Sequence, residues 1–590
     1  MLPLLYLTAW TLIAAATGRK MGRVLGVTPR STAEEAAVSI GLGYGAWAYG
    51  VLALGLTGLL SRPALVAFLV ALALWSRRDL PAVLRWLPPR PAAGRGPSRA
   101  TWFIIGLIVV AALANLIAAL APVTAADAMA YHLGAPRLWL EAHRITEIPW
   151  LWATYQPLNM EMLFLAGLGL QGDGLASLVA WLFGLLPVMG LVALSRHLRS
   201  PAPWVAAGIY YLSVLVAKQS TEQMVDAGVA FFTLMAVHAL LNALAEKDVR
   251  WFSVAGAFAG MAAGSKYLGA PIPALLLVAI VILQRRERWW TAALRFVLPA
   301  AALVLPWLLR SFLQTGDPFY PFLTALQGHE GLRDALTGLT GRYGRGRGLV
   351  DAVATPVRLI FLGKAFSGGE ILGPLFLSLM PFSMWHLRRR EVRLLWYVVV
   401  GYGTLWFLGS QQARFLLPVV PLAAALCAVG LRALEEVGGG LRLTARFILA
   451  GALISGTLGT IVFDAPALPV VLGRQSRQAY LSQNAIFYED FDWINRTLPA
   501  GTRLLLTVRI GYYLRRPFVG LAPWNSNDEL RALLARERIS HVFCTEKDCD
   551  AVRAHLIAVR VIREGQSRGP LNRRLMARTE PRTYVLEIVR

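Results

Sequence analysis

The chain has 590 residues, of which 56% are hydrophobic and only 16% are charged, and its mean hydropathy is +0.53. A soluble domain needs a polar surface and carries roughly 25% charged residues, so this composition excludes a soluble globule and predicts a polytopic α-helical membrane protein. The net charge of +24 is spread over short Lys/Arg clusters between apolar runs, which favours a lipid bilayer as partner over nucleic acid.

Apolar runs predict about fourteen membrane spans. They lie near residues 1–17, 37–59, 63–76, 102–121, 175–195, 203–217, 226–245, 251–264, 267–283, 294–313, 371–387, 394–409, 416–431 and 447–463. Basic clusters such as Arg388 to Arg393 and Arg285, Arg286 and Arg288 all fall on one side, and the positive-inside rule makes that side the cytoplasm. The first run has Arg19 and Lys20 behind it, so we expect an uncleaved span and not a signal peptide.

The sequence changes character after residue 463. Helices are predicted at residues 488–495 and 528–536, and strands at 503–508, 541–544 and 583–589. Such an alternation is typical of a small α/β domain. The predicted organisation has three parts: residues 1–100 with spans and a cytoplasmic linker, 101–463 as the main transmembrane module, and 464–590 as an extracytoplasmic domain.

The first outer loop carries Asp127, Tyr131 and His132 just after the apolar run from Trp102 to Leu120. We expect a helix over residues 127–143. Asp127 therefore has two interpretations: it caps that helix, or its carboxylate acts as a base where the chain leaves the membrane. His132 has a similar choice between hydrogen-bonding a substrate and a structural role.

Further charged residues are predicted at the same rim. Glu222 and Asp226 lie at the head of one span, and Lys266 and Arg414 lie beside two others. Each cation alone is a common interfacial anchor, whereas a guanidinium also offers paired hydrogen bonds to phosphate. Together with the two acids they indicate a site for a phosphate leaving group and a base.

Motifs for other chemistry are absent from the sequence. It has no phosphate-binding loop, no dinucleotide fingerprint, no His-Glu-x-x-His and no Cys-x-x-Cys, so ATP-driven transport and NAD chemistry are unsupported. Of the three cysteines, Cys427 lies in an apolar run, and Cys544 and Cys549 can form a disulfide if their segment is extracytoplasmic.

Five segments, taken in order, resemble landmarks of one superfamily. They are Asp127-Ala-Met-Ala-Tyr-His-Leu133, the turn from Thr221 to Asp226, Gly264-Ser-Lys-Tyr267, Thr315-Gly-Asp-Pro-Phe-Tyr-Pro321 and Arg414-Phe-Leu-Leu-Pro418. From about Trp102 onward the chain is similar to bacterial GT-C membrane glycosyltransferases, in the branch related to protein O-mannosyltransferases and the lipid A aminoarabinose transferase. The spans before Trp102 look like an addition to that pattern.

The resemblance implies a reaction and residue roles. A polyprenyl-phosphate sugar would enter from the bacterial inner membrane, and Asp127 would activate an extracytoplasmic glycan, lipid or protein acceptor. Tyr131, His132, Glu222 and Asp226 would contact substrate, and Lys266 and Arg414 would face the leaving phosphate. Many members have an Asp-Glu pair where this chain has Asp127-Ala128, so we expect an inverting transfer without a metal or other cofactor, while a divalent ion stays possible.

Two other functions fit the same composition. A transporter or flippase of a lipid or anionic solute is also a many-span basic protein, but such proteins often have two related halves and broken helices at the midplane. A membrane subunit without catalysis is the other alternative. The clustering of polar residues at one rim, with a single domain outside, favours the glycosyltransferase.

Overall fold

The structure is a computed structural model that describes residues 2–86, 97–199, 202–284, 289–367, 372–522, 527–554, 559–566 and 582–588. Most of the predicted cytoplasmic linker and the basic cluster at residues 285–288 lie outside these ranges. The chain is mainly helical, with one small sheet near its end.

The first half of the chain contains thirteen α-helices among the described residues. They are α1 (Leu2–Val24), α2 (Thr32–Leu56), α3 (Arg62–Ser76), α4 (Leu80–Leu84), α5 (Arg99–Leu120), α6 (Gly134–Glu141), α7 (Asn159–Leu170), α8 (Asp173–Leu194), α9 (Pro203–Tyr211), α10 (Val214–Thr221), α11 (Asp226–Glu246), α12 (Arg250–Ala263) and α13 (Pro271–Leu283). A π-helical turn covers Ala128–His132, and 3-10 turns cover Trp152–Tyr155 and Tyr267–Gly269.

The second half adds longer loops and the tail domain. Its helices are α14 (Trp289–Thr315), α15 (Phe322–Leu326), α16 (Glu330–Gly341), α17 (Leu349–Phe361), α18 (Gly363–Phe366), α19 (Leu375–Leu379), α20 (Arg390–Leu408), α21 (Val420–Val437), α22 (Gly439–Asp464), α23 (Leu468–Val471), α24 (Arg477–Asn484), α25 (Tyr488–Thr497), α26 (Asn527–Arg536) and α27 (Glu546–Arg553). Its 3-10 segments are Met380–His386, Ala413–Val419 and Ala465–Ala467.

Seven helical segments of the described chain are long and apolar enough to cross a membrane. They are Thr32–Leu56, Arg99–Leu120, Asp173–Leu194, Asp226–Glu246, Trp289–Thr315, Ala413–Val437 and Gly439–Val471. Three shorter apolar helical segments, Arg62–Ser76, Asn159–Leu170 and Tyr267–Leu283, accompany them. The polytopic helical fold is thus confirmed, while the number of about fourteen spans stays a prediction.

Two predicted spans are broken in the structure. The span predicted at 203–217 is divided between α9 and α10, because the backbone of Ser213 is extended. The span predicted at 371–387 consists of α19 and a 3-10 segment that contains Pro381, whose missing N–H does not support a regular α-helix.

Helix α11 forms the centre of the transmembrane part. Its sequence is apolar around almost its whole circumference, which is typical of a helix buried on all sides, and its apolar span is buried along its length. It packs against α8 and α12. Because α11 begins at Asp226, the packing of this central helix fixes the position of that carboxylate.

The N-terminal helices pack into the same core. Helix α2 contacts α7 and α8, and His238 Nε2 on α11 lies 3.1 Å from Glu34 Oε1 at the start of α2. Both side chains are buried. The first spans are therefore structurally continuous with the later ones, and the boundary predicted at residue 100 stays a prediction.

The tail domain contains a five-stranded sheet. Its strands are β1 (Leu504–Leu506), β2 (Phe518–Gly520), β3 (His541–Thr545), β4 (Val559–Gln566) and β5 (Arg582–Ile588), in the order β2-β1-β3-β5-β4. Strand β1 is parallel to β2 and β3, and β5 is antiparallel to β3 and β4. Cys544 and Cys549 form a disulfide beside this sheet.

The predicted helices and strands of the tail are present, while α23, α24, α27, β2 and β4 were not predicted. Strand β2 has only three residues, which is too short to show the apolar alternation that predicts a strand. Strand β4 is at the edge of the sheet and carries Arg560, Arg563 and Glu564. Charged residues on an edge strand discourage pairing with other chains, and they also hide the apolar alternation that predicts a strand.

Candidate active site

A cavity of about 1270 Å³ is lined by the tail domain and the loops at one end of the transmembrane helices. Within the described part of the chain, six cationic side chains and three acidic ones line it: Lys218, Lys266, Arg342, Lys364, Arg414 and Arg509, with Asp127, Glu222 and Asp464. The excess of cations over acids suits an anionic ligand.

Asp127 and Arg414 form an ion pair on the cavity wall. Arg414 Nη2 donates a hydrogen bond to Asp127 Oδ2 across 2.7 Å. The carboxylate follows α5, and the guanidinium belongs to the 3-10 segment that leads into α21. The Asp127 side chain keeps 38% of its exposure and that of Arg414 keeps 12%, so the pair faces open space in the cavity.

A second ion pair lies deeper. Lys266 Nζ is 3.3 Å from Asp226 Oδ2 and 3.4 Å from Oδ1, and both side chains are buried. Asp226 begins α11, and a helix N-terminus favours a carboxylate. Of these two residues, Lys266 lines the cavity. Asp226 therefore holds the lysine in place from behind the cavity wall.

The ring of Phe415 brings the two cations together. Lys266 Nζ and the Arg414 guanidinium carbon each lie 5.3 Å from its centroid, within the range of cation–π attraction. Both cations therefore face one region of the cavity, as a group that binds phosphate oxygens requires.

The predicted helix over residues 127–143 is interrupted. Residues Ala128–His132 form a π-helical turn, and α6 starts only at Gly134. A Cβ atom on Gly134 would lie 2.8 Å from the carbonyl oxygen of Met129, so the wide turn requires glycine there. Asp127 makes no side-chain capping hydrogen bond, which leaves its carboxylate to Arg414.

Tyr131 and His132 are neighbours in the π-helical turn, and their ring centroids are 4.0 Å apart. Tyr131 lines the cavity, whereas His132 is fully buried and its Nδ1 lies 2.7 Å from Glu161 Oε1. Burial and the charge of Lys266 lower the pKa of His132 well below its ordinary value, so the imidazole is neutral at neutral pH. Burial raises the pKa of Tyr131 well above its ordinary value, so its hydroxyl stays a hydrogen-bond donor.

The protonation of Asp127 reflects its neighbours. Burial on its own would raise its pKa, but the charge and hydrogen bond of Arg414, with the charge of Lys266, hold that pKa well below the usual range. Asp127 is therefore a carboxylate at neutral pH. While Arg414 remains bound to it, it is a weak base.

A group of acids lies elsewhere on the wall. Glu222 forms an ion pair with Lys218, in which Oε2 lies 3.8 Å from Nζ. Asp464, at the end of α22, is 5% exposed, and neither of its carboxylate oxygens has a hydrogen-bond partner within the described residues. Such an acid at the cavity edge is a candidate contact for a hydrogen-bond donor on a ligand.

The cavity also has an apolar side. Leu405 of α20 and Val462 of α22 line it, and these two side chains are 48% and 73% exposed. Helix α22 belongs to the segment Gly439–Val471, which is long and apolar enough to cross a membrane. An exposed apolar wall beside the charged cluster suits a ligand that has both an anionic group and a hydrocarbon chain.

Whether the cavity can hold a metal ion depends on which side chains are available as ligands. Among the described residues, no group of three or more His, Cys, Asp or Glu side chains is placed to hold a metal ion. Asp127 and Asp226 are each paired with a cation, which competes with a metal for the same oxygens. The described residues therefore do not form a ligand set for a divalent ion, and transfer without a metal stays a prediction.

The structure brings together five of the seven residues singled out from the sequence. Asp127, Tyr131, Glu222, Lys266 and Arg414 line the cavity. Asp226 and His132 lie behind its wall, where Asp226 holds Lys266 and His132 contacts Glu161. Their predicted substrate contacts stay predictions.

Sequence reasoning missed three residues: Glu161, Asp464 and Arg509. A lone acid in an apolar stretch is a signal for function, and Glu161 and Asp464 both have this signal. Arg509 has none, because it lies among the many arginines of the tail and only the fold brings it to the cavity.

Comparison with known proteins bears on the fold. Residues 164–309 match the family of dolichyl-phosphate-mannose-protein mannosyltransferases. The structure is similar to ArnT from Cupriavidus metallidurans bound to undecaprenyl phosphate, with a TM-score of 0.54 and 14% identity, over 83% of this chain and 98% of ArnT. This chain has a GT-C fold. The resemblance inferred from the sequence is thereby confirmed at the level of fold.

Two further structures complete the comparison. ArnT in the apo state has a TM-score of 0.54 and 14% identity, over 83% of the GT-C chain described here and 99% of ArnT. The archaeal oligosaccharyltransferase AglB from Archaeoglobus fulgidus, with an inhibitory peptide and dolichol phosphate, has a TM-score of 0.47 and 14% identity, over 75% and 69% of the two chains. The sequence matches no curated protein.

Proposed function

We propose that this GT-C protein transfers a sugar from a polyprenyl-phosphate donor to an acceptor outside the cytoplasm. The observation that carries the proposal is a cavity in which Asp127, Arg414 and Lys266 meet an apolar wall, part of which belongs to the apolar, membrane-length helix α22. The chain of a polyprenyl lipid fits that wall, and its phosphate fits the cations. The ArnT structure with undecaprenyl phosphate supports this assignment by analogy of fold.

The reaction balances with the groups in the cavity. An acceptor hydroxyl or amine attacks the anomeric carbon, and the bond from that carbon to the phosphate oxygen breaks. The electron pair leaves on the polyprenyl phosphate, whose growing charge Lys266 and Arg414 stabilise. The acceptor proton passes to Asp127. Attack from the side opposite the phosphate inverts the anomeric centre.

The ion pair gives the reaction an order. Arg414 holds the pKa of Asp127 low in the ligand-free protein. A donor phosphate competes with Asp127 for the same guanidinium. When Arg414 turns to the phosphate, Asp127 loses its closest positive charge and becomes a stronger base. Donor binding therefore prepares the base for the acceptor.

The remaining polar groups of the cavity suit the acceptor. Tyr131 offers a hydroxyl beside Asp127, and Glu222 and Asp464 offer oxygens further along the wall. These groups favour an acceptor rich in hydroxyl or amine donors, which a glycan, a lipid headgroup or a protein side chain provides. No step requires a metal.

We place the cavity and the tail domain on the periplasmic side of a bacterial inner membrane. Basic clusters such as Arg388 to Arg393 lie at the opposite ends of the helices, in agreement with the positive-inside rule. The disulfide between Cys544 and Cys549 supports an oxidising compartment for the tail.

The experiment is sugar transfer by the purified full-length protein in liposomes, with a panel of radiolabelled polyprenyl-phosphate sugars and envelope extracts as acceptors. We expect one donor to give a labelled product with inverted configuration. Asp127→Asn abolishes the transfer, and Asp351→Asn leaves it intact, because Asp351 forms an ion pair of the same 2.7 Å length with Arg358 and does not line the cavity. A protein that moves the lipid without breaking its sugar bond is a flippase, and that result contradicts the proposal.

A further inference from the structure

Arg509 brings a charge from the tail domain into the cavity. It follows strand β1 by three residues, and its side chain lines the same cavity as Asp127 and Arg414. The charge of Asp127 acts on it. Arg509 is therefore near the proposed base, although the two residues are far apart in the sequence.

The segment that follows Arg509 is fastened to the first outer loop. Arg137 of α6 donates hydrogen bonds to the carbonyl oxygens of Tyr512 and of Leu514, the latter across 2.6 Å. The Tyr513 hydroxyl donates to the carbonyl oxygen of Val123 across 2.7 Å. Val123 and Arg137 lie on either side of Asp127 in the sequence, so these contacts fix Arg509 relative to the base.

Three of the other five cations that line the cavity are already engaged in ion pairs. Arg414 pairs with Asp127, Lys266 with Asp226 and Lys218 with Glu222. Arg509 has no hydrogen bond or ion pair to any described residue, and its side chain is exposed because it faces the cavity. A guanidinium in that position has all its donors available for an incoming anion.

We propose that Arg509 binds a phosphate oxygen of the lipid-linked donor, so that the tail domain supplies part of the active site. This inference rests on the proposed function, because it takes the donor phosphate as the anion. Arg414 must exchange a carboxylate for that phosphate, whereas Arg509 needs to break no ion pair. Arg509 thus makes the first contact with the phosphate and stays on it as the sugar leaves.

The test is binding of undecaprenyl phosphate to the full-length protein in nanodiscs. We compare the parent with Arg509→Gln, Arg509→Lys and the control Arg515→Gln. Arg515 lies on the same segment and is also exposed, but it lines a different cleft. Loss of a charged hydrogen bond predicts about 10- to 100-fold weaker binding for Arg509→Gln. Arg509→Lys keeps the charge without the paired donors, so we expect its affinity to lie between those of the parent and Arg509→Gln. The affinity of Arg515→Gln is expected to equal that of the parent.

The other outcomes would contradict either the role of Arg509 or the proposed function. If the parent binds the lipid and Arg509→Gln binds equally well, Arg509 has no role on the phosphate and the proposed function stands. If Arg515→Gln weakens binding as much as Arg509→Gln, the effect is one of total charge, and the inference fails. If Arg509→Gln instead raises only the KM of the acceptor, the anion is on the acceptor. A parent that does not bind undecaprenyl phosphate contradicts the proposed function together with this inference.

Discussion

Asp127 and Arg414 are 287 residues apart in the sequence and form a 2.7 Å ion pair on the wall of the cavity. In this arrangement the proposed base is neutralised by the residue proposed to bind the leaving phosphate. The two functions are thus linked, because a ligand that takes the guanidinium also releases the carboxylate. Asp127 therefore remains a weak base until the donor is bound.

The first prediction concerns the pH dependence of transfer. Arg414→Gln removes the charge that holds the pKa of Asp127 down, so that pKa rises towards or above its ordinary value of about 3.9. We expect the acidic limb of kcat/KM to move to higher pH and the rate at neutral pH to fall by about 10²- to 10³-fold. Arg358→Gln, which breaks an ion pair outside the cavity, changes neither. A fall in rate without movement of the limb means that another group is the titrating base.

The same ion pair makes the folded state sensitive to acid. Because the pKa of Asp127 is lower in the folded protein, the pair contributes stability above the pKa of the unfolded chain and loses it as the pH falls through the folded value. Thermal unfolding in detergent at decreasing pH measures this contribution. Arg414→Gln is expected to remove this acid-dependent part of the loss, because the folded-state pKa of Asp127 is then no longer below that of the unfolded chain. An acid profile of Arg414→Gln that equals that of the parent would show that the pair does not contribute.

The second prediction separates the structural role of the Lys266–Asp226 ion pair from its role in sugar transfer. Lys266→Met leaves the fully buried Asp226 without its cation, and we expect a loss of about 3 to 5 kcal/mol of stability. The double variant Lys266→Met with Asp226→Leu removes both charges, so we expect it to regain most of the stability that Lys266→Met loses. Thermal unfolding measures the stability, and transfer assays on the folded double variant should still show loss of activity. An active double variant contradicts the role of Lys266 on the phosphate.

The third prediction concerns Asp464. Its two buried oxygens have no hydrogen-bond partner within the described residues, so Asp464→Asn removes a carboxyl group that would be costly to ionise in this position. We expect the apparent Tm to rise by about 1 to 2 °C in the ligand-free protein. The KM of the acceptor rises if the carboxylate also contacts it. A lower Tm would show that the carboxylate has a stabilising partner.

The fourth prediction tests the compartment of the tail domain. The chain has three cysteines, of which Cys544 and Cys549 are joined and Cys427 is free. Protein denatured without reductant therefore reacts with one equivalent of maleimide, and reduced protein reacts with three. In Cys544→Ser the freed Cys549 raises the first value to two. Three equivalents without reductant in protein from the native membrane would place the tail in a reducing compartment.

The sequence alone predicts a large part of the fold for physical reasons. Helices that cross a bilayer alternate in direction, so the ends that carry Asp127, Lys266 and Arg414 are expected on one face. Their meeting on one cavity wall follows from that topology. The strands β1, β3 and β5 are predicted because each is buried on at least one side and has the expected apolar pattern.

The contacts within the site could not be predicted in this way. Whether Arg414 binds Asp127 or Asp226 depends on helix rotation and depth, to which apolar periodicity is insensitive. The π-helical turn over Ala128–His132 depends on one close approach at Gly134. Arg509 reaches the cavity only because Arg137 binds the tail segment, and no local pattern in the sequence indicates that contact.

The most direct measurement is a single turnover of Asp127→Asn with the donor already bound. Substitution by asparagine removes the base and also frees Arg414. We therefore predict that donor binding is as tight as in the parent or tighter, while the rate of sugar transfer falls by about 10²- to 10⁴-fold. Transfer by Asp127→Asn at the rate of the parent, with the same donor occupancy, would contradict the assignment of Asp127 as the base and with it the account of this cavity.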